Sequence, residues 1–334
     1  MARITFIAYD HCMFSGIAIL IDAFSITNLW LQKFDPHPPQ AAPPGVPLFE
    51  TEIVTPGGAP VIANGGVPIQ PDRAMEAVTH TDIILIPPYL FGVHPLPDEM
   101  DAILPWLVSH YERDVRVGAS CTGVFVLAMT GLLDGRVATT NWQVIKPFRR
   151  RFPHVLLKPE HILTEDSGLI CSGAVAAQYN LALYLIEVFG SQALSRGCAK
   201  MFLVDPSRST QAPYMSTHFS KRHGDREILK AQYWLEEHYR DSITIDAAAR
   251  HVGLSPRHFK RRFKKAVDET PLKYLQQIRL EAAKTMLETT ADTIGDITRQ
   301  VGYEDSSTFR RLFKTYTALS PREYRDKFSI RNHQ

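Results

Sequence analysis

Two groups of residues in this chain have types and spacings that could do chemistry. The first is cationic and occurs near the C-terminus. Between 257 and 265 stand Arg257, Lys260, Arg261, Arg262, Lys264 and Lys265, with no acid among them, and further on Ser306, Ser307, Arg310, Arg311 and Lys314 hold comparable places. Arg is the bidentate reader of guanine, Ser reaches bases or phosphates, and Lys mainly anchors phosphates. The second group is Gly118-Ala119-Ser120-Cys121-Thr122-Gly123. Small residues on both sides let a sharp strand-to-helix turn present Cys121 over the positive end of a helix. Such a position can lower a thiol pKa and favour a nucleophile, and it is also a natural anion or ligand pocket.

The cations belong to a pattern that occurs twice. Val252-Gly253, Phe259, Phe263-Lys264, Pro271 and Tyr274 return as Val301-Gly302, Phe309, Phe313-Lys314, Pro321 and Tyr324. Each copy reads as a short helix (Thr244 to Val252, then Thr293 to Val301), a Gly-centred turn and a second helix with an apolar stripe at i, i+4, which is the helix-turn-helix layout. The Gly suits a turn residue of positive φ. Ser255 and Asp305 stand at N-cap positions, and Pro256 opens the helix of the first copy. With Phe259 and Phe263 inward, Arg257, Lys260, Arg261 and Lys264 point outward. One amphipathic helix with a solvated basic face would look the same, but tandem copies argue against that reading. Leu272 to Glu288, free of Gly and Pro, forms a rigid helical spacer. Two readers so held could enter successive major grooves, roughly 34 Å apart.

The 334 residues suffice for two domains with separate cores. The formal net charge of +2 hides an asymmetry. From 222 onward there are 22 Lys/Arg against 16 Asp/Glu, and before it 15 against 19. A basic C-terminal part on an acidic N-terminal part fits nucleic-acid binding by one domain only. Cys12, Cys121, Cys171 and Cys198 lack paired spacing, so neither a disulfide framework nor a zinc site is expected. The start, MARITFIAYDHCMF, is not that of a signal peptide, and no stretch approaches a membrane span, so a cytoplasmic protein is expected.

In the first two hundred residues short β-branched runs alternate with helical segments. Strands are expected at Ile4 to Tyr9, Thr51 to Val54, Ile83 to Ile86 and Val115 to Gly118. Helices are expected at Phe14 to Trp30, Glu99 to Ser109, Gly123 to Met129, Val144 to Arg151 and Ala176 to Phe189. That alternation implies an α/β domain with a mainly parallel sheet covered on both faces. The stretch Asp35 to Pro47 is a proline-rich insertion that cannot pair in a sheet. A ligand pocket in such a domain gathers at the carboxyl ends of the strands. That places Asp10, Phe14 and Gly16 after the first strand, Pro88 and Tyr89 after Ile86, and Cys121 with Thr122 at the elbow. Phe14 and Trp142 read equally as core, and Asn141 as a helix cap.

The segment from about 225 to 328 resembles the DNA-binding domain of AraC/XylS-type transcriptional regulators. The likeness rests on GLSPRHFKRRFKK, on the spacer YLQQIRLEAAKTMLE, on VGYEDSSTFRRLFK and on the closing LSPREYR. It implies base or backbone contacts from Arg257, Lys260 and Arg261 and from Ser306, Ser307, Arg310 and Arg311. Asp268 and Ala318 stand where that family usually has Gly. The N-terminal part resembles the ThiJ/PfpI branch of class I glutamine amidotransferase-like domains, on GASCTGVFVLAMTGLLDGRVATTNW and CSGAVAAQYNLALYLIEVFG. The likeness implies a flavodoxin-like α/β fold with Asn141 and Trp142 near the pocket. Together the two parts resemble the GlxA family of transcriptional regulators.

Enzymatic relatives of the first part place His directly after the nucleophile, or Glu near the end of the first strand. Here Thr122 and Gly16 stand in those places. Cys needs a base or a fixed acid partner to act as a nucleophile, and no spacing ties His11, His94, His110, His154 or His161 to Cys121. The expectation is a non-catalytic small-molecule sensor without cofactor or metal. A thiol-dependent hydrolase, amidase or glyoxalase-like enzyme using Cys121 is the alternative. The organisation expected is a sensory and dimerising domain at 1–204, a linker at 205–223, a DNA-binding domain at 224–328 and a tail at 329–334. The resemblance further implies promoter DNA, RNA polymerase and a small nitrogenous effector as partners. It also implies a homodimer through the N-terminal domain, activation of transcription and a nucleoid-associated location.

Overall fold

The computed structural model describes residues 1–33, 46–93, 98–217 and 219–330. Most of the proline-rich stretch and His94 lie outside them. The chain forms two compact units, Met1–Gln211 and Ala212–Gln334. The division falls within 205–223. Residues 209–211 add to the first unit, where Ser209 O accepts from Ile162 N and Glu160 O from Gln211 N.

The first unit runs β1 (Ala2–Ile7), α1 (Ser15–Lys33), β2 (Phe49–Thr55), β3 (Val61–Ala63), β4 (Val67–Ile69), β5 (Arg73–Ala74), β6 (Ile83–Ile86), α2 (Met100–Tyr111), β7 (Arg116–Ser120), α3 (Gly123–Met129), β8 (Val137–Ala138), α4 (Ile145–Arg151), β9 (Leu156–Leu157), β10 (Leu163–Asp166), β11 (Leu169–Ser172), α5 (Gln178–Phe189) and α6 (Gln192–Met201). Seven strands form one sheet in the order β10-β11-β7-β6-β1-β2-β5. Every pair is parallel except β10 with β11. The α/β reading with a mainly parallel sheet is borne out. All four residues of β6 are buried, as a strand covered on both faces requires.

Pairing aligns Ile86 with Ala119 and Ser120 with Ser172, so β6, β7 and β11 deliver their carboxyl ends to one edge. The β10–β11 hairpin turns at Ser167 and Gly168, both at positive φ (56° and 80°), a geometry of primed turns. Helix α1 does meet the length and composition of a membrane span, with mean hydropathy 1.2 over Ser15–Gln32. Its Ile17, Leu20, Ala23 and Phe24 are nonetheless fully buried in the core of the unit, each large side chain worth roughly 1.5–3 kcal/mol of burial.

The second unit is helical: α7 (Arg226–His238), α8 (Ile245–His251), α9 (Pro256–Val267), α10 (Pro271–Thr289), α11 (Ile294–Gln300), α12 (Ser306–Thr317) and α13 (Pro321–Phe328). It holds two small cores. Ile228, Leu235, Phe259, Phe263 and Tyr274 belong to one, and Leu287, Ile297, Phe309, Phe313 and Tyr324 to the other. Helix α10 supplies Tyr274 and Leu275 to the first and Leu280, Ala283 and Leu287 to the second.

Candidate nucleic-acid interface and elbow pocket

Each helix-turn-helix is assembled from local signals. Thr244 caps α8 by accepting from Ala247 N at 3.1 Å, Gly253 turns the chain at φ 68°, and Ser255 caps α9 by accepting from His258 N. The second copy repeats this with Thr293 on Asp296 N, Gly302 at φ 87° and Asp305 on Ser307 N and Thr308 N. A side chain at 302 would also stand 2.6 Å from Tyr239 O, so the turn excludes one twice over. After α9 and α12 the chain passes through Asp268 and Ala318 at φ 62° and 58°. The left-handed stop that Gly usually provides is therefore kept, at a cost that is small for Asp and about 1–2 kcal/mol for Ala.

Phe259, Phe263 and Val267 seat α9; Phe309, Phe313 and Thr317 seat α12. The opposite faces are open. Arg257, Lys260, Arg261 and Lys264 are exposed in the first copy, and Ser306, Ser307, Arg310, Arg311 and Lys314 in the second. Among the described residues Arg257, Arg261, Lys264, Arg310 and Arg311 form no ion pair, whereas Lys260 lies 3.8 Å from Asp246 of α8. Arg262, the sixth cation of the run, is spent internally: its Nε donates to Asp225 at 2.5 Å and its Nη2 to Glu227, pinning α9 to the start of α7.

In the second copy the Ser307 hydroxyl donates to Asp305 Oδ2 at 2.6 Å, which leaves its lone pairs for a partner's donor. Hydrogen bonds from Ser307 and Thr308 hold the Asp305 carboxyl far below the usual range. Sequence assigns Asp305 only a capping role. It is also an exposed acceptor of the kind that takes the cytosine amino group.

In the first unit Cys121 occupies the turn between β7 and α3 at φ 52°, a conformation that costs a non-Gly residue about 1–3 kcal/mol. The elbow is tied from every side. Cys121 N donates to Ser172 O at 2.8 Å, Thr140 Oγ1 to Cys121 O at 2.6 Å, and Asn141 Nδ2 to Cys121 Sγ at 3.3 Å. Thr122 Oγ1 donates to Tyr89 O at 2.5 Å and accepts from Tyr89 N at 2.9 Å. Gln178 Nε2 donates to Ser120 Oγ at 2.8 Å.

The structure brings Tyr89, Cys121, Thr122 and Asn141 together. Gly16 serves a close approach, because a Cβ there would lie 2.3 Å from Pro88 Cδ, and no longer side chain fits without Pro88 moving. Asp10 is engaged elsewhere, its Oδ1 accepting from Ile62 N at 2.7 Å. Phe14 is 38% exposed, which excludes the core reading for it. Asn141 does act as a cap, accepting from Gln143 N, and Trp142 begins the single 3-10 turn that follows.

The thiol does not behave as a helix N-terminus alone would make it. Burial pushes the Cys121 pKa up, and the hydrogen bonds from Asn141 and Thr122 only partly offset this. The groups bonded to it carry no ionisable side chain.

Comparison with known proteins matches a domain over each region. The DJ-1/PfpI family matches residues 48–188, and a helix-turn-helix domain matches 248–327. The chain is 27% identical to the HTH-type transcriptional regulator CdhR of Pseudomonas aeruginosa, over 83% of this chain and 82% of that protein. It is 24% identical to GbdR of the same species, over 92% and 83%. It is 26% identical to GlxA of Rhizobium meliloti, over 83% and 85%. Two tandem helix-turn-helix motifs with open basic faces define a DNA-binding protein. The chain is a DNA-binding transcriptional regulator that joins a DJ-1/PfpI domain to an AraC-type helix-turn-helix domain.

Proposed function

We propose that this regulator activates transcription from promoter DNA in response to a small molecule held at the Cys121 elbow by a non-catalytic N-terminal unit. The observation that carries the DNA half is the pair of exposed cationic helix faces, with Arg257, Lys260, Arg261 and Lys264 on one and Ser306, Ser307, Arg310, Arg311 and Lys314 on the other. Arg reads base edges while Lys264 and Lys314 anchor phosphates, and RNA polymerase is the partner through which activation acts. Two copies pair through the N-terminal unit in this reading. The exposed Ile26 and Leu29 on α1 suit such a face.

The sensing half is supported by the tying of the elbow to the end of the first unit. Thr140 donates its hydroxyl to Cys121 O, and its own carbonyl accepts from Gln211 Nε2 at 2.9 Å. Gln211 is the last residue of that unit. A ligand that displaces the elbow therefore acts on the residue next to the second unit, by as much as its affinity differs between the two arrangements. Selection of genomic fragments by the purified protein tests the proposal. A few sites with a shared motif, upstream of genes whose expression falls when the regulator is removed, is the expected result. Diffuse enrichment without a motif refutes sequence-specific regulation.

One observation favours a second reading. The positive φ at Cys121 is the geometry of a nucleophile elbow. Against an enzyme stand the raised thiol pKa and, among the described residues, the absence of an ionisable group from its hydrogen-bond partners. Cys121→Ala separates the two readings: a sensor keeps DNA binding and loses at most its response, whereas an enzyme loses turnover.

A further inference from the structure

Beside the first recognition helix lies an open cleft of about 470 Å³, lined by His223, Asp225, His258, Arg261, Arg262 and Lys265. His258, Arg261 and Lys265 follow one another at i, i+3 and i+7, so they form one stripe along α9. The remaining polar groups of the cleft are already satisfied. Asp225 and Arg262 form an ion pair, and His223 accepts from Asp225 N at its Nδ1 while its Nε2 meets Gln232 Oε1 at 2.8 Å. Arg261 and Lys265 remain, and among the described residues neither has a carboxylate partner. Arg261 also belongs to the exposed reading face, so cleft and face are continuous.

The second copy lacks this feature. At the places fifty residues on from His258, Arg262 and Lys265 stand Thr308, Leu312 and Thr315. The motifs are duplicated but the basic flank is not.

We infer that this cleft is a phosphate-binding site, in which Lys265 holds a backbone phosphate beside the groove read by α9, with Arg261 at the rim between the phosphate and the bases it reads. It rests on the DNA-binding reading of the preceding section and adds to it an anchor that only the first motif possesses. The first motif then supplies more of the salt-sensitive affinity, and the second contributes mainly by base contact.

The test uses the full-length protein and a fluorescent duplex carrying its selected site, titrated from 50 to 200 mM KCl. Each phosphate contact adds about 0.9 to the slope of log K against log salt, so one contact is worth about 3.5-fold over this fourfold range. Lys265→Gln is expected to lose that share of the salt dependence, Lys265→Arg to keep it, and Thr315→Gln to change nothing.

Duplexes with a single neutral methylphosphonate, moved along the strand, should reveal one position that weakens the parent and leaves Lys265→Gln unaffected. An unchanged slope in Lys265→Gln, with no coupled position, overturns the cleft while leaving DNA binding intact. Loss of selective binding by the parent overturns the underlying reading instead. If inorganic phosphate at constant ionic strength competes with the parent but not with Lys265→Gln, while no methylphosphonate position couples, the site takes free anions and the backbone assignment falls.

Discussion

Gln211 offers the sharpest test of the elbow's internal wiring. Its Nε2 lies 2.7 Å from Pro159 O, 2.9 Å from Thr140 O, 3.1 Å from His161 O and 3.3 Å from Thr139 Oγ1. An amide nitrogen carries two hydrogens, so it serves two of these acceptors at once, and the shortest contacts are to Pro159 and Thr140. The residue is buried, and its Oε1 has no partner among the described residues. Gln211→Ala strands two acceptors at roughly 1–1.5 kcal/mol each and removes one unpaired acceptor worth about 1 kcal/mol, a net loss of about 1–2 kcal/mol. Gly173→Ala should do the same by another route, since its Cβ would stand 2.7 Å from Gln211 Oε1 and 2.8 Å from Nε2. Because both changes evict one amide, the double variant should cost little more than the larger single one. Urea unfolding followed by tryptophan fluorescence measures all three, with Trp30, Trp106 and Trp142 reporting on the first unit. Additivity within about 0.5 kcal/mol, or a loss below that for Gln211→Ala, would refute the shared anchor.

For DNA binding, Arg261→Ala and Arg311→Ala should each cost about 1–3 kcal/mol on specific sites, whereas Lys264→Ala should weaken all sequences alike and flatten the salt slope by about 1. Anisotropy on matched and scrambled duplexes separates the two behaviours. For stability against pH, burial pushes the Cys171 thiol up to about 12 and the Cys12 thiol up to about 11, while unfolded thiols titrate near 8.5. The folded state holds these protons more tightly, so this stability is full below about pH 8.5 and is lost as pH rises toward those values. Urea midpoints between pH 8 and 10.5 should fall, and less steeply in a Cys12→Ala, Cys171→Ala variant. Ala318→Gly should relieve about 1–2 kcal/mol of left-handed strain, partly offset by the entropy of an added Gly, for a net gain near 0.5–1 kcal/mol. A lower melting temperature for Ala318→Gly would contradict the strain argument.

Much of the second unit is legible in sequence because its signals are local. Ser255-Pro256, Thr270-Pro271 and Ser320-Pro321 each pair a cap with a first-turn proline, and the structure starts a helix at each. The first unit yields less. The strands β1, β2, β6 and β7 are read, but the β10–β11 hairpin is missed although β11 is as fully buried as β6, and Ser167-Gly168 is the turn signal that marks it. Helix α6 escapes because Gly197 interrupts a polar segment. The state of the Cys121 thiol is hidden for a different reason: the helix terminus that lowers its pKa is local, whereas the burial that raises it comes from distant elements. The contacts of Gly16 with Pro88 and of Asp10 with Ile62, far along the chain, are likewise not legible in sequence.

The duplication reaches further than the recognition helices, and this shapes what the unit can do. Tyr274 donates to Glu236 Oε1 at 2.6 Å, and Tyr324 donates to Glu288 Oε1 at 2.7 Å. Helix α7 therefore corresponds to α10, and the start of α10 to α13. Helix α10 closes the first core with Tyr274 and opens the second with Leu287 and Glu288. A flexible linker would let each motif find its own groove, but here one 19-residue helix, about 28 Å long, belongs to both cores. The orientation of α12 relative to α9 is thereby set by the one helix that contributes side chains to both cores. Rigidity of this kind favours sites whose two half-elements keep a constant spacing, since a mismatched spacing must be met by bending DNA instead of the protein.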